Sequence, residues 1–134
     1  MNAPTAALNL VDSSGWIEFF TAGPNGPQFR PVINDTAQLL VPTIALFEVH
    51  RVLSRRLPPA LGTTCLDVMR LARVLDLTDR RAIFAAEIGA RHRLAMADAA
   101  MYSMALEHRA TFWTQDADYA DLPGVRYFAK PARP

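Results

Sequence analysis

Short apolar runs alternate with stretches of helical spacing along the chain, and this alternation predicts the fold. The apolar runs predict five strands, at residues 8–11, 38–41, 74–77, 111–114 and 125–128. Helical spacing predicts five helices, at residues 16–21, 43–57, 65–74, 78–92 and 96–108. Strands that alternate with helices form parallel βαβ units. The sequence therefore predicts an α/β fold, a three-layer α/β/α sandwich around a central parallel sheet of about five strands.

Glycine and proline concentrate between these elements, and we interpret those segments as loops inside one domain. They are Gly23–Pro27, Pro58–Pro59 and the region near the C-terminus, and Ser13–Gly15 is expected to turn the chain before the first helix. No internal repeat interrupts the pattern. We expect a single domain over residues 1–134 with its core at about 8–128, because a chain of this length can bury one hydrophobic core unaided.

The composition excludes several classes of protein. A hydrophobic content of 51% excludes a disordered chain, and the lone Cys65 cannot form an internal disulfide. No apolar run approaches the roughly 20 residues that cross a bilayer, and Met1–Leu8 does not resemble a secretory signal, so we expect a cytoplasmic protein without a membrane partner. The net charge of +1 does not indicate a nucleic-acid binder.

Acidic residues follow the predicted strands at one edge of the sheet. Asp12 comes directly after the first strand, Asp116 and Asp118 come after the fourth, and Glu48 lies in the helix after the second. Asp98 lies near the start of the last helix, on an otherwise apolar face. Ligands of open parallel sheets bind beyond the carboxyl ends of the strands, so this is the edge where a site is expected.

Each acid also has a purely structural explanation. These are a helix cap for Asp12, an ion pair with Arg51 or Arg55 for Glu48, a helix-dipole contact for Asp98, and turn formation for Asp116 and Asp118. Accepting all of them requires four independent coincidences at one edge of one sheet. The pattern therefore favours a shared site.

Several carboxylates at one site repel each other and stay ionised only around a cation. Hard oxygen ligands suit Mg²⁺, with Mn²⁺ as the alternative, and such a metal serves phosphoryl transfer. The scattered His50, His92 and His108 lack the ligand spacing of a zinc site, and no glycine-rich nucleotide-binding motif is present. The hydroxyls of Ser13, Ser14 and Thr114 lie beside the acids in sequence, where they either orient a carboxylate or stabilise a turn.

Four segments carry a further signal by their order and rough spacing. They are Leu10–Trp16, Pro42–Glu48, Met96–Ala99, and Thr114–Tyr119 followed by Leu122–Val125. Together they resemble the PIN-domain ribonucleases, and among these the toxins of VapBC toxin–antitoxin pairs. The resemblance extends from residue 8 to about 128, except for Ala22–Asp35, which has no clear counterpart. It implies a five-stranded parallel α/β/α sandwich, in agreement with the pattern of runs.

The resemblance also implies roles for individual residues. Asp12, Glu48, Asp98 and Asp116 correspond to the family's four acids, of which those like Asp12 and Asp98 are the usual direct metal ligands. Asp118 shares or takes over the role of the fourth acid, and Thr114 matches a hydroxyl position that helps to order the site. The implied activity is Mg²⁺-dependent endonucleolytic cleavage of RNA by a metal-activated water, which leaves a 5′-phosphate and a 3′-hydroxyl.

The implied partners are an RNA substrate, a second copy of the chain and a small cognate antitoxin that lays a segment across the acidic site. The toxin and antitoxin would form a hetero-oligomer. Arg51, Arg55 and Arg56 follow Glu48 and can meet RNA phosphates, although solvated surface charge or antitoxin contact explains them equally well.

Other functions remain as alternatives. A phospho-accepting receiver domain or a haloacid-dehalogenase-like phosphatase fits poorly, because Asp12 is followed by two serines and the lone Lys130 comes after the last strand. A catalytically silent PIN-like binding module and a housekeeping PIN nuclease without an antitoxin both stay open. Metal uptake distinguishes the silent module from an intact site, and the neighbouring reading frame distinguishes a toxin from a housekeeping enzyme.

Overall fold

A parallel five-stranded sheet forms the centre of the protein, as the sequence predicts. The structure is a computed structural model that describes residues 7–132, so the chain ends of the predicted domain, and most of Met1–Leu8, lie outside the described residues. The strand order within this range is β3-β2-β1-β4-β5. The strands are β1 (Asn9–Val11), β2 (Leu39–Pro42), β3 (Arg73–Leu75), β4 (Thr111–Thr114) and β5 (Val125–Tyr127).

Six α-helices connect the strands in the described part of the chain. They are α1 (Ser13–Phe20), α2 (Gly26–Asn34), α3 (Thr43–Leu53), α4 (Pro59–Met69), α5 (Asp79–His92) and α6 (Met96–Glu107), with short 3₁₀ turns at Thr36–Gln38 and Ala117–Tyr119. Because parallel connections are right-handed, the path from β1 out to β3 places α1–α4 on one face, and the return to β4 places α5 and α6 on the other. None of these helices is long and apolar enough to span a bilayer.

The core lies on both faces of the central strands. All four residues of β2 are buried, and Leu10, Val11 and Phe112 are fully enclosed. Helix α6 is buried on every side over the seven residues Ala99–Ala105, so it has no polar face. Asp98 directly precedes this enclosed segment, which anchors its backbone, whereas Met96 at the start of the helix is exposed.

Helix α2 was not predicted from the sequence, because its region is rich in glycine and proline and Gly23–Pro27 was interpreted as a loop. Pro27 lies in the first helical turn, where its missing N–H is not needed, and Pro31 lies inside the helix at the expense of one backbone hydrogen bond. Burial of Phe29, Val32 and Ile33 outweighs that loss. Their spacing of three and four residues is the helical signal that the prolines obscured.

Two helices begin earlier than predicted, and each has a local cause. Helix α1 starts at Ser13 rather than at residue 16, because Asp12 caps it and no separate turn follows the first strand. Helix α4 starts at Pro59 rather than at residue 65, because proline is well suited to the first turn of a helix. The prediction that Pro58–Pro59 only ends a helix was therefore incomplete.

Other boundaries differ by a few residues. Helix α3 ends at Leu53 rather than at residue 57, and the chain continues through a turn. Helix α4 ends at Met69, five residues before the predicted end, and β3 covers Arg73–Leu75 rather than 74–77. Apolar residues continue across these boundaries, so hydrophobic spacing alone does not mark them.

At Gly15, α1 packs tightly against Val11 of β1 and Phe29 of α2, and replacement of this glycine tests the packing. A Cβ at Gly15 would lie 2.6 Å from Val11 Cγ1 and 2.9 Å from Phe29 Cε1. Gly15→Ala should therefore lower the free energy of unfolding by about 1–3 kcal/mol, measured by urea denaturation. Gly62→Ala is the matched control, because nothing lies within 4 Å of a Cβ there. Equal urea midpoints for Gly15→Ala and the wild type would contradict the observed packing.

Candidate metal centre

The carboxyl edge of the sheet brings the predicted acids near one another. Strands β1 and β4 are neighbours, with Val11 opposite Trp113, and the Asp12 backbone N–H donates to the Trp113 carbonyl over 3.1 Å. Asp12 therefore lies beside Thr114, the last residue of β4. The 3₁₀ turn that follows β4 carries Asp118, and α6 points its first turn toward the same edge with Asp98.

Asp12 is buried and its carboxylate accepts hydrogen bonds from three groups. The Gly15 N–H donates to Oδ1 over 3.0 Å, so the helix cap that is the structural explanation of Asp12 is present. The Ser14 hydroxyl lies 2.7 and 2.9 Å from the two carboxylate oxygens, and the Thr114 hydroxyl donates to Oδ2 over 2.7 Å. These donors hold the carboxylate in one orientation while contributing no positive charge.

Thr114 links Asp12 to the acids after β4. Its oxygen donates to Asp12 and accepts from the Asp116 N–H over 2.9 Å. The Asp116 carboxylate in turn accepts from the Asp118 N–H over 2.9 Å and caps the 3₁₀ turn. One continuous chain of hydrogen bonds therefore runs from Asp12 to Asp118.

Glu48 joins this edge through a different helix. The Ser13 hydroxyl donates to Glu48 Oε1 over 2.8 Å and ties α1 to α3. Glu48 forms no ion pair with Arg51 or Arg55 within residues 7–132, so the surface-pair explanation does not hold for the structure. The Arg51 guanidinium lies over the exposed Phe47 ring, 5.4 Å from its centroid.

Asp98, Asp116 and Asp118 form the tightest acidic group in the described part of the chain. Each offers one carboxylate oxygen, and the three oxygens lie within 4.8 Å of one another. Two oxygens that bind the same Mg²⁺ at about 2.1 Å are at most about 4.2 Å apart, so small side-chain rotations would bring these atoms to ligand spacing. A set of anionic oxygens without sulfur or imidazole suits Mg²⁺ or Mn²⁺. These three residues therefore fit a hard divalent cation.

Asp12 and Glu48 lie outside that group of three. The resemblance implied Asp12 and Asp98 as the direct ligands; Asp98 belongs to the group of three, and the ligand role of Asp12 stays a prediction. The Asp12 carboxylate is held by its hydroxyl donors, and Glu48 is held by Ser13. The five acids thus form an inner trio with two flanking carboxylates.

Burial raises the pKa of Asp12 to about 6. Hydrogen bonds from Thr114, Ser14 and the Gly15 N–H lower this pKa, and the negative charge of Asp116 raises it further. Burial outweighs the three donors because none of them carries a positive charge. A cation at this edge would supply the missing compensation.

The pKa of Asp98 is also raised by burial and by neighbouring carboxylates. Burial raises its pKa, and the negative charges of Asp116, Glu48 and Asp118 add to that effect. The Tyr119 hydroxyl acts in the opposite direction and favours the ionised carboxylate. Of the two flanking carboxylates, Glu48 therefore acts electrostatically on Asp98, although it comes from another helix.

Sequence reasoning assigned no role to several residues that the structure brings to this edge. The Tyr119 ring lies completely buried beside the acids, one residue after Asp118. The Asn25 amide donates to Gln115 Oε1 and to the Ala129 carbonyl, both over 3.1 Å, and so fastens the loop before α2 to the chain after β4 and β5. A tyrosine directly after two spaced aspartates was the visible signal for Tyr119, whereas no local pattern pointed to Asn25.

The fold and the acidic edge together define a class of protein. The model of the PIN domain family matches residues 10–125, so the chain belongs to the PIN domain family. This confirms the family resemblance inferred from the four segments. A comparison with curated proteins finds no match.

Solved structures with this fold include several toxins. A toxin–antitoxin complex from Klebsiella pneumoniae is 18% identical, with 88% of this chain and 95% of that chain covered and a TM-score of 0.75. DNA-bound VapBC from Salmonella typhimurium is 18% identical over 92% and 98% of the two chains, with a TM-score of 0.72. VapC20 of Mycobacterium tuberculosis, described as a Sarcin-Ricin loop cleaving toxin, is 18% identical over 85% and 94%, with a TM-score of 0.71. The likeness at these identities concerns the fold.

The raised pKa of Asp12 predicts how stability depends on pH in the metal-free protein. A folded-state pKa of about 6, against an ordinary 3.8, means that the folded protein holds this proton more tightly than the unfolded chain does. The resulting stabilisation is fully present below about pH 4 and is lost as the pH rises through 6. The loss amounts to at most about 3 kcal/mol.

The measurement is urea unfolding in EDTA between pH 4 and 7.5. Asp12→Asn should show a clearly shallower decline than the wild type, because its amide keeps an acceptor for Gly15 and cannot ionise. Asp67→Asn, on the exposed surface of α4, is the control and should follow the wild type. Identical pH slopes for Asp12→Asn and the wild type would show that Asp12 titrates normally.

Proposed function

We propose that this chain is a metal-dependent endoribonuclease, the toxin of a type II toxin–antitoxin pair that is inhibited by a cognate antitoxin. The observation that carries the proposal is the convergence of Asp98, Asp116 and Asp118 at the carboxyl edge of a PIN domain. Structurally similar proteins that are toxins or toxin–antitoxin complexes support the second part.

The five acids would have different roles at a bound cation. Asp98, Asp116 and Asp118 would hold Mg²⁺, or Mn²⁺ in its place, while Asp12 and Glu48, which the resemblance also implies as metal-binding acids, add negative charge at the same edge. The bound ion would polarise the scissile phosphodiester and activate a water. Thr114 and Ser14 keep the Asp12 carboxylate turned inward, and Ser13 keeps Glu48 at the same edge. These hydroxyls are neutral, so they orient the carboxylates without compensating the negative charge that a cation would bind.

An RNA substrate is a polyanion and must approach an acidic site. Positively charged side chains near the site would make that approach favourable. Arg51, Arg55 and Arg56 are exposed at the end of α3 and in the turn after it, one to two helical turns beyond Glu48. None of the three forms a salt bridge within the described residues, so their guanidinium groups are available for phosphate oxygens. We propose that they contact RNA phosphates on either side of the cut.

The remaining parts of the proposal concern the assembly. A homodimer and a toxin–antitoxin hetero-oligomer in the cytoplasm are the expected states, with the antitoxin covering the acidic edge. A silent binding module and a housekeeping nuclease without an antitoxin are the competing functions. The two experiments below separate them.

Removing one inner carboxylate should abolish RNA cleavage. We expect the purified protein to cut RNA in Mg²⁺, to lose activity in EDTA and to recover it in Mn²⁺. Asp98→Asn and Asp116→Asn should each lower the rate at least about a hundredfold, because they remove charge at the cation with little change in volume. Asp67→Asn is the control and should cut at the wild-type rate. Cleavage by Asp98→Asn at the wild-type rate would assign the activity to another site or to a contaminant.

Expression in a bacterial host tests the toxin assignment. Induced wild-type protein should arrest growth, and either Asp98→Asn or co-expression of the adjacent small gene should restore it. Arrest that no neighbouring gene relieves would favour a nuclease without an antitoxin. A wild-type protein that neither arrests growth nor cuts RNA in vitro would favour the silent module.

A further inference from the structure

Tyr119 occupies a fixed position directly beside the acidic trio. It ends the 3₁₀ turn that carries Asp118, and its backbone N–H donates to the Asp116 carbonyl over 3.2 Å. Its ring is fully buried, with centroids 4.6 Å from Phe112 and 6.2 Å from Tyr102. The hydroxyl therefore cannot reach solvent without opening the core.

That hydroxyl has no hydrogen-bond partner among the residues the structure describes. Only one other fully buried side-chain polar atom in this range, Trp16 Nε1, lacks a partner. An unpaired buried hydroxyl is unfavourable, and a phenylalanine would fill the same ring space without it. The neighbouring Tyr102 shows the usual solution, because its hydroxyl donates to the Pro123 carbonyl over 2.6 Å. Packing alone therefore does not explain a hydroxyl at residue 119.

The groups that face the Tyr119 hydroxyl are carboxylates. A phenol is protonated at neutral pH and can donate one hydrogen bond, and the carboxylates of Asp98, Asp12 and Asp116 are near enough to act on this hydroxyl electrostatically. Asp98 is the acid that the hydroxyl influences in return, by favouring its ionised form. The Tyr119 hydroxyl is therefore near the Asp98 carboxylate, although their present geometry falls short of a hydrogen bond.

We propose that Tyr119 is a positioning residue that donates a hydrogen bond to the Asp98 carboxylate when Asp98 binds a divalent cation. A carboxylate that gives one oxygen to a metal has a second oxygen free to accept a hydrogen bond, and such outer bonds orient metal ligands. The buried ring fixes the donor in place, and the enclosed segment Ala99–Ala105 of α6, which directly follows Asp98, restrains that residue. This inference rests on the metal site of the proposed function and adds a residue to it.

Tyr119→Phe tests this role by metal affinity and by stability. We expect Mn²⁺ to bind about tenfold more weakly in calorimetry, because one orienting bond to a ligand is lost. The melting temperature in EDTA should stay equal or rise, because an unpaired buried hydroxyl has been removed. RNA cleavage should fall at limiting Mn²⁺ and recover at saturating Mn²⁺.

Tyr102→Phe is the matched control. It removes a buried hydroxyl from an adjacent ring, but one that already has a partner in Pro123. We expect a lower melting temperature in EDTA and an unchanged affinity for Mn²⁺. Tyr119→Phe should therefore lower the affinity for Mn²⁺ without lowering the melting temperature, whereas Tyr102→Phe should lower the melting temperature without changing the affinity.

Asp98→Asn separates failure of this inference from failure of the proposed function. If Asp98→Asn binds Mn²⁺ as tightly as the wild type, the metal site itself is wrong, and the role of Tyr119 falls with it. If Asp98→Asn loses Mn²⁺ binding while Tyr119→Phe binds like the wild type, only the inference about Tyr119 is overturned. A lower melting temperature of Tyr119→Phe in EDTA with unchanged affinity would likewise assign the hydroxyl to the fold alone.

Discussion

The parallel pairing of β1 with β4 at the centre of the sheet is the constraint on which the site depends. These strands are distant in sequence, and their register places Asp12 beside Thr114. Thr114 then connects through backbone and side-chain hydrogen bonds to the acids of the following turn. Because β1 buries Leu10 and Val11 on opposite faces and β4 buries Phe112 and Thr114 on one face, a shift of register would expose core residues as well as separate the acids. Core packing and site geometry are therefore maintained by the same pairing.

Neutral donors hold the charged edge together. Serine, threonine and backbone N–H groups supply every hydrogen bond to the Asp12 carboxylate in the described structure. Such donors orient carboxylates but leave their charge uncompensated, so burial still raises the pKa of Asp12 and Asp98. The carboxylates at this edge are therefore oriented before any metal binds, but their negative charge is uncompensated. A divalent cation would compensate it.

The structural and functional explanations of these acids turn out to be compatible. Asp12 caps α1, Asp116 caps the 3₁₀ turn, and Asp98 lies in the first turn of α6. The two caps also bring carboxylates to the carboxyl edge, because the turns and helices that follow parallel strands begin there. A capping role for a single residue is therefore no argument against a site. The convergence of these two caps with Asp98 and Asp118 at one edge is the informative observation.

The sequence by itself determined the α/β class, the five strands and the acids that follow them, because apolar runs and helical spacing are local patterns. It did not reveal α2, since Pro27 and Pro31 conceal an apolar face that only contact with the sheet makes favourable. Only the tertiary structure decided that Asp98 lies closest to Asp116 and Asp118, and that Tyr119 keeps an unpaired hydroxyl beside them. Those distances depend on strand register and on the rotamers of packed side chains, and neither is encoded in the spacing of residues along the chain.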